Sequence, residues 1–393
     1  MHKRNISENF FMLFLLLMPI NNIYEVYAMK QGILPYGGWS MALTPATIKV
    51  YKDLFVVIFS ILVFSNLLKS HKYRIVFFSY LVTPIHFLMA LIAVFVCTSL
   101  ISNNVINAVL GARAYINVIY IFVGLMLYPV LNKKRMHNIL FFLLLFQLSL
   151  QSYQYVDGQG LAVFAELRSP GFFIVPATAG LFSLLLFYVL PRSKLNFFLC
   201  FLSLILSTST IGLVIFILTV LYSLCRRYIN RVQGAVLFSV AAICVLIILY
   251  NFSANIIGRG AGAIESFNAR IGILSDVFIK SDIATIIWGN GFGNATSQAA
   301  LSETSEHFIT DNTFLSLFLN MGIIAVILYM AFLVTLFIAD RSKMIFFTVL
   351  LYSITANIFE LNPVSAFLFV VVGFNYYEHH VNTKSPVLAN IKI

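Results

Sequence analysis

The sequence predicts an all-α, polytopic membrane protein of about twelve transmembrane helices with one large outer loop. Three observations predict it. Of its residues 61% are hydrophobic and 10% charged, against roughly 25% charged in a soluble domain, and the mean hydropathy is +0.95. Apolar stretches recur from Phe10 to Phe374, with the length of about 20 residues that a spanning helix needs. The runs are continuous rather than alternating, which excludes the dyad pattern of a membrane barrel. Lipid gives backbone groups no partner outside a helix or a closed barrel, so helices remain.

The expected spans have cores near 10–28, 53–68, 75–100, 114–131, 139–155, 171–190, 195–207, 211–225, 233–252, 313–338, 344–359 and 363–377. The first follows Lys3 and Arg4 and ends near Val26-Tyr27-Ala28, which resembles a signal peptide; an uncleaved span is expected. Stretch 195–225 lies between two basic clusters, Arg192/Lys194 and Arg226/Arg227. Both favour the cytoplasm, so the chain must cross twice there, as two short helices joined at Ser207-Thr208-Ser209-Thr210. That tip would lie below the outer headgroups, where irregular backbone must face protein or a wet cavity. A polar tail from Tyr376 to Ile393 is expected to be poorly ordered.

Charge orients this layout. Lys and Arg number 17 on the loops assigned inside and 8 on those assigned outside, while only Glu8, Asp340 and Glu378 of the 14 acidic residues fall inside. This is the positive-inside pattern, with both termini cytoplasmic. The net charge of +11 therefore reports topology rather than nucleic-acid binding. Cys97, Cys200, Cys225 and Cys244 lie in or at the ends of spans with no metal-ligand or disulfide spacing, and read as core residues.

The whole chain, 1–393, reads as a single polytopic membrane domain with two long outer segments. One, 29–52, contains Pro35-Tyr36-Gly37-Gly38-Trp39. The other, 253–312, is the longest polar stretch, and long loops in compact proteins usually serve function. Within it Ile264, Phe267, Ile271, Leu274 and Phe278 fall at helical spacing, predicting an amphipathic helix over 261–280. Gly289-Asn290-Gly291-Phe292-Gly293 follows. It superficially resembles a phosphate-binding glycine loop, but no strand–helix unit surrounds it and no Lys-Ser/Thr follows. A turn that requires positive φ is the better reading.

Outer cations are the first functional candidates. Arg168 stands in Glu166-Leu167-Arg168-Ser169-Pro170-Gly171 at the start of the sixth span, Arg270 on the loop helix, Arg113 at the opening of the fourth span, and Arg259 between Gly258 and Gly260. A guanidinium binds phosphate through a rigid two-pronged fork. The plainer alternative is an interfacial Arg snorkelling to headgroups. His307 is the one histidine of seven on an outer loop; an unperturbed histidine titrates near neutral pH, which suits acid or base work. Thr310, Asp311 and Asn312 stand at the entry to the tenth span, where such residues also cap helices. His86 lies within a span, where an ionisable group invites a functional reading. No metal is expected, because Asp-x-Asp, His-x-x-x-His and cysteine-cluster spacings are missing from the outer segments, and no cofactor is implied.

These residues lie in motifs: Arg168-Ser169-Pro170-Gly171-Phe172-Phe173; Leu206-Ser207-Thr208-Ser209-Thr210; Asn268-Ala269-Arg270; Trp288-Gly289-Asn290-Gly291-Phe292-Gly293; and Asp311-Asn312-Thr313-Phe314-Leu315 followed by Asn320-Met321-Gly322. The pattern resembles the Wzy-type O-antigen and exopolysaccharide polymerases and the related O-antigen ligases. The family often has a His-Asn pair where this chain has Asp311-Asn312, which leaves open whether His307, Asp311 or neither takes the histidine's part.

The resemblance implies a GT-C-like glycosyltransferase of the bacterial inner membrane, acting on undecaprenyl-diphosphate-linked oligosaccharides at the outer face. A chain-length regulator and a flippase are the implied protein partners. Arg168 and Arg270 match the family arginines and would neutralise the departing diphosphate, with Arg113 or Arg259 assisting. Asp311, Glu166 or His307 would accept the proton of the attacking hydroxyl. Asn312, Ser207 and Ser209 are expected on the substrate, although hydroxyls at a helix end are as readily satisfied by backbone. Two rival readings remain. An O-antigen ligase has the same chemistry and a similar layout. A lipid-linked oligosaccharide flippase should instead carry charges inside its spans.

Overall fold

The computed structural model describes residues 6–20, 22, 46–102, 105–157, 169–173, 175–228, 282–292 and 312–388. Among the described residues every regular element is helical: α1 (Ile6–Leu17), α2 (Ala46–Lys69), α3 (His71–Phe77), α4 (Thr83–Ser102), α5 (Val105–Tyr115), a 3-10 turn (Ile116–Ile119), α6 (Tyr120–Leu127), α7 (Lys133–Asp157), α8 (Pro176–Val189), α9 (Lys194–Ser207), α10 (Thr210–Tyr228), α11 (Ile283–Trp288), α12 (Thr313–Ala339), α13 (Met344–Thr355) and α14 (Val364–Leu388). Four stretches, Val50–Lys69, Thr83–Leu100, Lys133–Val156 and Thr313–Ala339, are long and apolar enough to cross a membrane. The chain is a helical membrane protein. The ninth expected span (233–252), the amphipathic helix (261–280) and most of segment 29–52 lie outside the described residues.

Several boundaries differ from the pattern of hydrophobicity, each for a local reason. The third span is two helices, α3 and α4, separated at 78–82, because Pro84 suits the first turn of a helix and not its interior. The sixth begins only at Pro176, after a non-helical stretch in which Gly171 has φ +69°. The eleventh ends at Thr355; Pro363 then disfavours helical backbone at Asn362 and precedes α14. That last helix continues to Leu388, so the tail expected to be poorly ordered from Tyr376 is helical through that point. Tyr376 is buried, and its hydroxyl lies 2.9 Å from Thr335 Oγ1 on α12. Tyr377 meets the ring of Tyr128 at 5.1 Å. These contacts carry the helix past its last apolar run.

The chain divides into two compact units, one drawn from Met1–Asn9, Lys52–Leu131 and Leu274–Ile393, the other from Phe10–Tyr51 and Asn132–Ile273. In the first, α14 packs along α6 and α4 along α12. The α6–α14 crossing is close because glycines face each other: a Cβ on Gly124 would lie 2.9 Å from Gly373 Cα. Small residues at such crossings let backbones approach where lipid supplies no hydrophobic drive. In the second unit α9 packs between α7 and α8, and α10 lies against α8.

Candidate functional site

Both units contain irregular backbone that polar side chains from neighbouring helices satisfy. In the second unit the segment is Ser169-Pro170-Gly171-Phe172. Three buried glutamines of α7, spaced i, i+4 and i+7 on one face, hold it. Each amide is used at both ends: Gln147 Nε2 donates to Pro170 O at 2.9 Å and its Oε1 accepts from Phe172 N at 3.0 Å. Gln154 donates to Gly171 O and accepts from Gly171 N, both at 2.8 Å. Gln151 donates to Ser169 O at 3.0 Å and to Ser203 O at 3.1 Å, and accepts from Ser203 Oγ at 2.8 Å. The amide of Ser169 itself donates to Leu206 O at 3.0 Å. The clamp thus ties the Arg168 motif, from Ser169 onward, to the end of α9.

Ser207 and Ser209 sit beside that junction and are buried. Ser207 Oγ donates to Leu204 O at 2.8 Å, and Ser209 Oγ accepts from Gly212 N at 3.3 Å. Backbone therefore satisfies these two hydroxyls. Thr208 adopts left-handed backbone, φ +48°, where the two short helices meet.

In the first unit the glycine loop meets a break in α12. Gly322 leaves helical geometry (φ +72°), which frees carbonyls of the preceding turn. Asn290 N donates to Leu319 O at 2.7 Å and Gly291 N to Asn320 O at 3.1 Å. Phe292 N donates to Ser99 Oγ of α4 at 3.0 Å, and its buried ring lies 5.3 Å from that of Tyr115. The amides of residues 289–292, which could have cradled a phosphate, are spent on protein carbonyls and the Ser99 hydroxyl. Gly289 and Gly291 do have positive φ, as a turn requires.

Beneath this junction lies a buried polar cluster. Tyr115 Oη and Ser316 Oγ are 2.6 Å apart. Asn320 Nδ2 donates to Tyr115 Oη at 2.9 Å and to Ser316 O at 2.7 Å. Asn357 Nδ2 donates to Ser316 Oγ and to Glu360 Oε1, both at 3.0 Å. The surrounding non-helical stretch 356–363 is held by Thr313, which accepts from Ile358 N at 2.9 Å, and by Asn117, which donates to Phe359 O at 3.0 Å.

The remaining sequence candidates fall as follows. Asn312 caps α12, accepting from Leu315 N at 3.1 Å and donating to Ile354 O at 3.0 Å. Arg113 makes a two-pronged ion pair with Asp53, Nε and Nη2 each 2.7 Å from a carboxylate oxygen, joining α5 to α2. His86 packs among Phe77, Phe78 and Phe122. Arg168, Glu166, Arg259, Arg270, His307 and Asp311 lie outside the described residues. Sequence reading missed the three glutamines and the residues Tyr115, Ser316, Asn357 and Glu360. The available signal was amides and hydroxyls recurring at helical spacing inside apolar spans, as in Gln147/Gln151/Gln154 and Ser316/Asn320.

No family model matches this chain, and no curated protein sequence does.

Proposed function

We propose that this chain polymerises undecaprenyl-diphosphate-linked oligosaccharide repeat units into surface polysaccharide, at the outer face of a bacterial inner membrane, through twelve spans with both termini cytoplasmic. The observation that carries this reading is the uneven distribution of Lys and Arg, which leaves Arg168 and Arg270 on the basic-poor side. The diphosphate is already a good leaving group, so the protein must supply orientation and charge neutralisation. Arg168 and Arg270 are the groups for that, with Asp311, Glu166 or His307 to accept a proton and no metal or soluble energy source required.

Two structural facts support the reading. The segment that follows Arg168 in the sequence, from Ser169 to Phe172, is clamped by buried glutamines. The charged residues of the four long apolar helices lie near helix ends, as with Lys52, Asp53 and Lys69 or Lys133, Lys134 and Arg135; this favours a polymerase over a flippase with a charged central cavity.

The deciding experiment is polymer formation in a deletion strain complemented with variants. Arg168→Ala and Arg270→Ala should each abolish polymer at unchanged protein level, and Arg→Lys should fail too where the fork matters. Full-length polymer from both alanine variants overturns the proposal. Lipopolysaccharide capped with a single repeat in the deletion strain marks a polymerase; no capping at all marks a ligase.

A further inference from the structure

Residues 70–82 of the first unit join two of the long apolar helices, Val50–Lys69 and Thr83–Leu100. Two successive crossings return the chain to one membrane face, so this short connection stays at the level of the lipid headgroups. One side of α3 is fixed to the protein. Ser70 caps it by accepting from Tyr73 N at 3.2 Å. Tyr73, Val76 and Phe77 are buried. Tyr73 Oη donates to Phe122 O of α6 at 3.0 Å, and the ring of Phe77 lies 4.7 Å from that of Phe122.

The opposite side is open. His71, Lys72 and Arg74 are exposed, and Ile75, Phe78 and Tyr80 are 42%, 68% and 70% exposed. His71, Arg74, Ile75 and Phe78 stand at i, i+3, i+4 and i+7 in the sequence, the spacing of one stripe on a helix. Along it the charged residues come first and the apolar ones after them. Lys69, exposed at the end of α2, extends the charged end. Among the described residues no acidic side chain pairs with Lys69, Lys72 or Arg74. Phe78 is held in place although most of its surface is uncovered: its ring stacks on His86 at 5.7 Å and meets Phe77 edge-on at 5.0 Å.

A bilayer boundary matches both ends of this stripe. Aromatic side chains favour the interface, and amphipathic helices lie there with the apolar face toward the acyl chains. A neutral lipid would satisfy the apolar residues alone; three cations without acidic partners select an anionic one. An acidic protein would have to displace lipid between two spans to cover Phe78 and Tyr80. We infer that α3 and residues 78–80 form a seat for an anionic phospholipid, with Lys69, Lys72 and Arg74 on its phosphate and Ile75, Phe78 and Tyr80 against its glycerol and upper acyl chains. Positive-inside orientation puts this seat in the cytoplasmic leaflet. The inference does not depend on the polymerase reading.

The test uses the purified full chain in neutral detergent, with Cys97, Cys200, Cys225 and Cys244 replaced by Ala and a fluorophore attached to Tyr80→Cys. Brominated phosphatidylglycerol should quench the fluorophore at a mole fraction about 10²-fold lower than brominated phosphatidylcholine, because each cation near an anionic surface contributes about fivefold in affinity. Lys69→Gln, Lys72→Gln and Arg74→Gln combined should erase that difference and leave quenching by phosphatidylcholine in place. Raising the salt to 1 M should narrow it as well. Equal quenching by the two lipids, or a preference that the triple variant keeps, overturns the inference. Quenching by neither lipid also overturns it, in favour of an acidic protein on this patch. Should the cysteine-replaced chain fail to fold, the parental chain decides. Its melting temperature in mixed micelles should rise at a lower mole fraction of phosphatidylglycerol than of phosphatidylcholine, and the triple variant should lose that advantage. Equal shifts with the two lipids overturn the inference and leave the polymerase reading untouched.

Discussion

Gly289 and Gly322 meet backbone to backbone. A Cβ on Gly289 would lie 2.6 Å from both Asn320 C and Met321 N, and one on Gly322 would lie 2.7 Å from Trp288 N and closer still to the Ile287 carbonyl. Both have positive φ, +70° and +72°. Two motifs 33 residues apart in the chain are therefore one structural unit, in which the glycine loop supplies the hydrogen bonds that the broken α12 has lost. Backbone with φ near +70° and ψ near 180° is essentially confined to glycine and costs an L-residue about 1–3 kcal/mol, and here a backbone clash adds to it. Gly289→Ala and Gly322→Ala should each lower the melting temperature of the purified protein by several degrees. The double variant should lose less than the two single losses combined, because the residues share one contact. Additive losses would show that the two positions act independently.

The glutamine clamp makes a separate prediction about the second unit. Gln151→Leu and Gln154→Leu each remove buried hydrogen bonds to the Ser169–Gly171 backbone. Leaving a buried partner unsatisfied costs about 1–3 kcal/mol, so each variant should be destabilised on that scale. Ser149→Ala is the comparison from the same helix. Its hydroxyl is exposed and bonds only to Leu145 O of its own turn, so that change should stay within about 0.5 kcal/mol. Thermal or denaturant unfolding in detergent measures the three. Equal stability of Gln154→Leu and Ser149→Ala would mean that the clamp holds nothing.

Much of this architecture was legible in the sequence, because hydropathy and the spacing of Lys and Arg act on whole segments. The paired short helices between Arg192 and Arg226 follow from charge alone, and α9 and α10 lie there. The turn reading of Gly289-Asn290-Gly291 was legible too, since two of these glycines need backbone that other residues resist. What holds the irregular segments was not. Hydropathy averages over a window, and in that average Gln147, Gln151 and Gln154 count as weak spots in a span rather than as three ligands for one loop. The Asn320–Ser316–Tyr115–Asn357 cluster joins residues more than 200 positions apart, and no local pattern reports such a meeting. The irregular segments 169–173 and 356–363 share this origin: distant side chains satisfy their backbone, whereas the break at 78–82 closes on its own local turns.

The Arg113–Asp53 pair lends itself to a double-mutant cycle. Its side chains are 25% and 46% exposed, so solvent screens much of the attraction, and the coupling energy should be about 0.2–1 kcal/mol despite the two-pronged geometry. Coupling should shrink at 1 M salt, where the screening length falls to about 3 Å. A coupling of zero at low salt would mean that α5 and α2 are joined by packing alone. A coupling that grows with salt contradicts an ion pair altogether.

Orientation can be tested at two exposed positions on loops of opposite expected side. Asn290 lies in the glycine loop, and Lys134 in the basic turn at the start of α7. Positive-inside topology puts Asn290 outside and Lys134 in the cytoplasm. In a background with Cys97, Cys200, Cys225 and Cys244 replaced by Ala, a membrane-impermeant maleimide should label Asn290→Cys in intact cells. It should reach Lys134→Cys only after permeabilisation. Asn290→Cys gives up the exposed bond from Thr285 Oγ1 to the Asn290 side chain but keeps the backbone N–H donated to Leu319 O, which anchors the loop. The reverse pattern would place the glycine loop on the cytoplasmic side. Lipid-linked repeats are joined at the outer face in the proposed reaction, so that result would remove its substrate from reach.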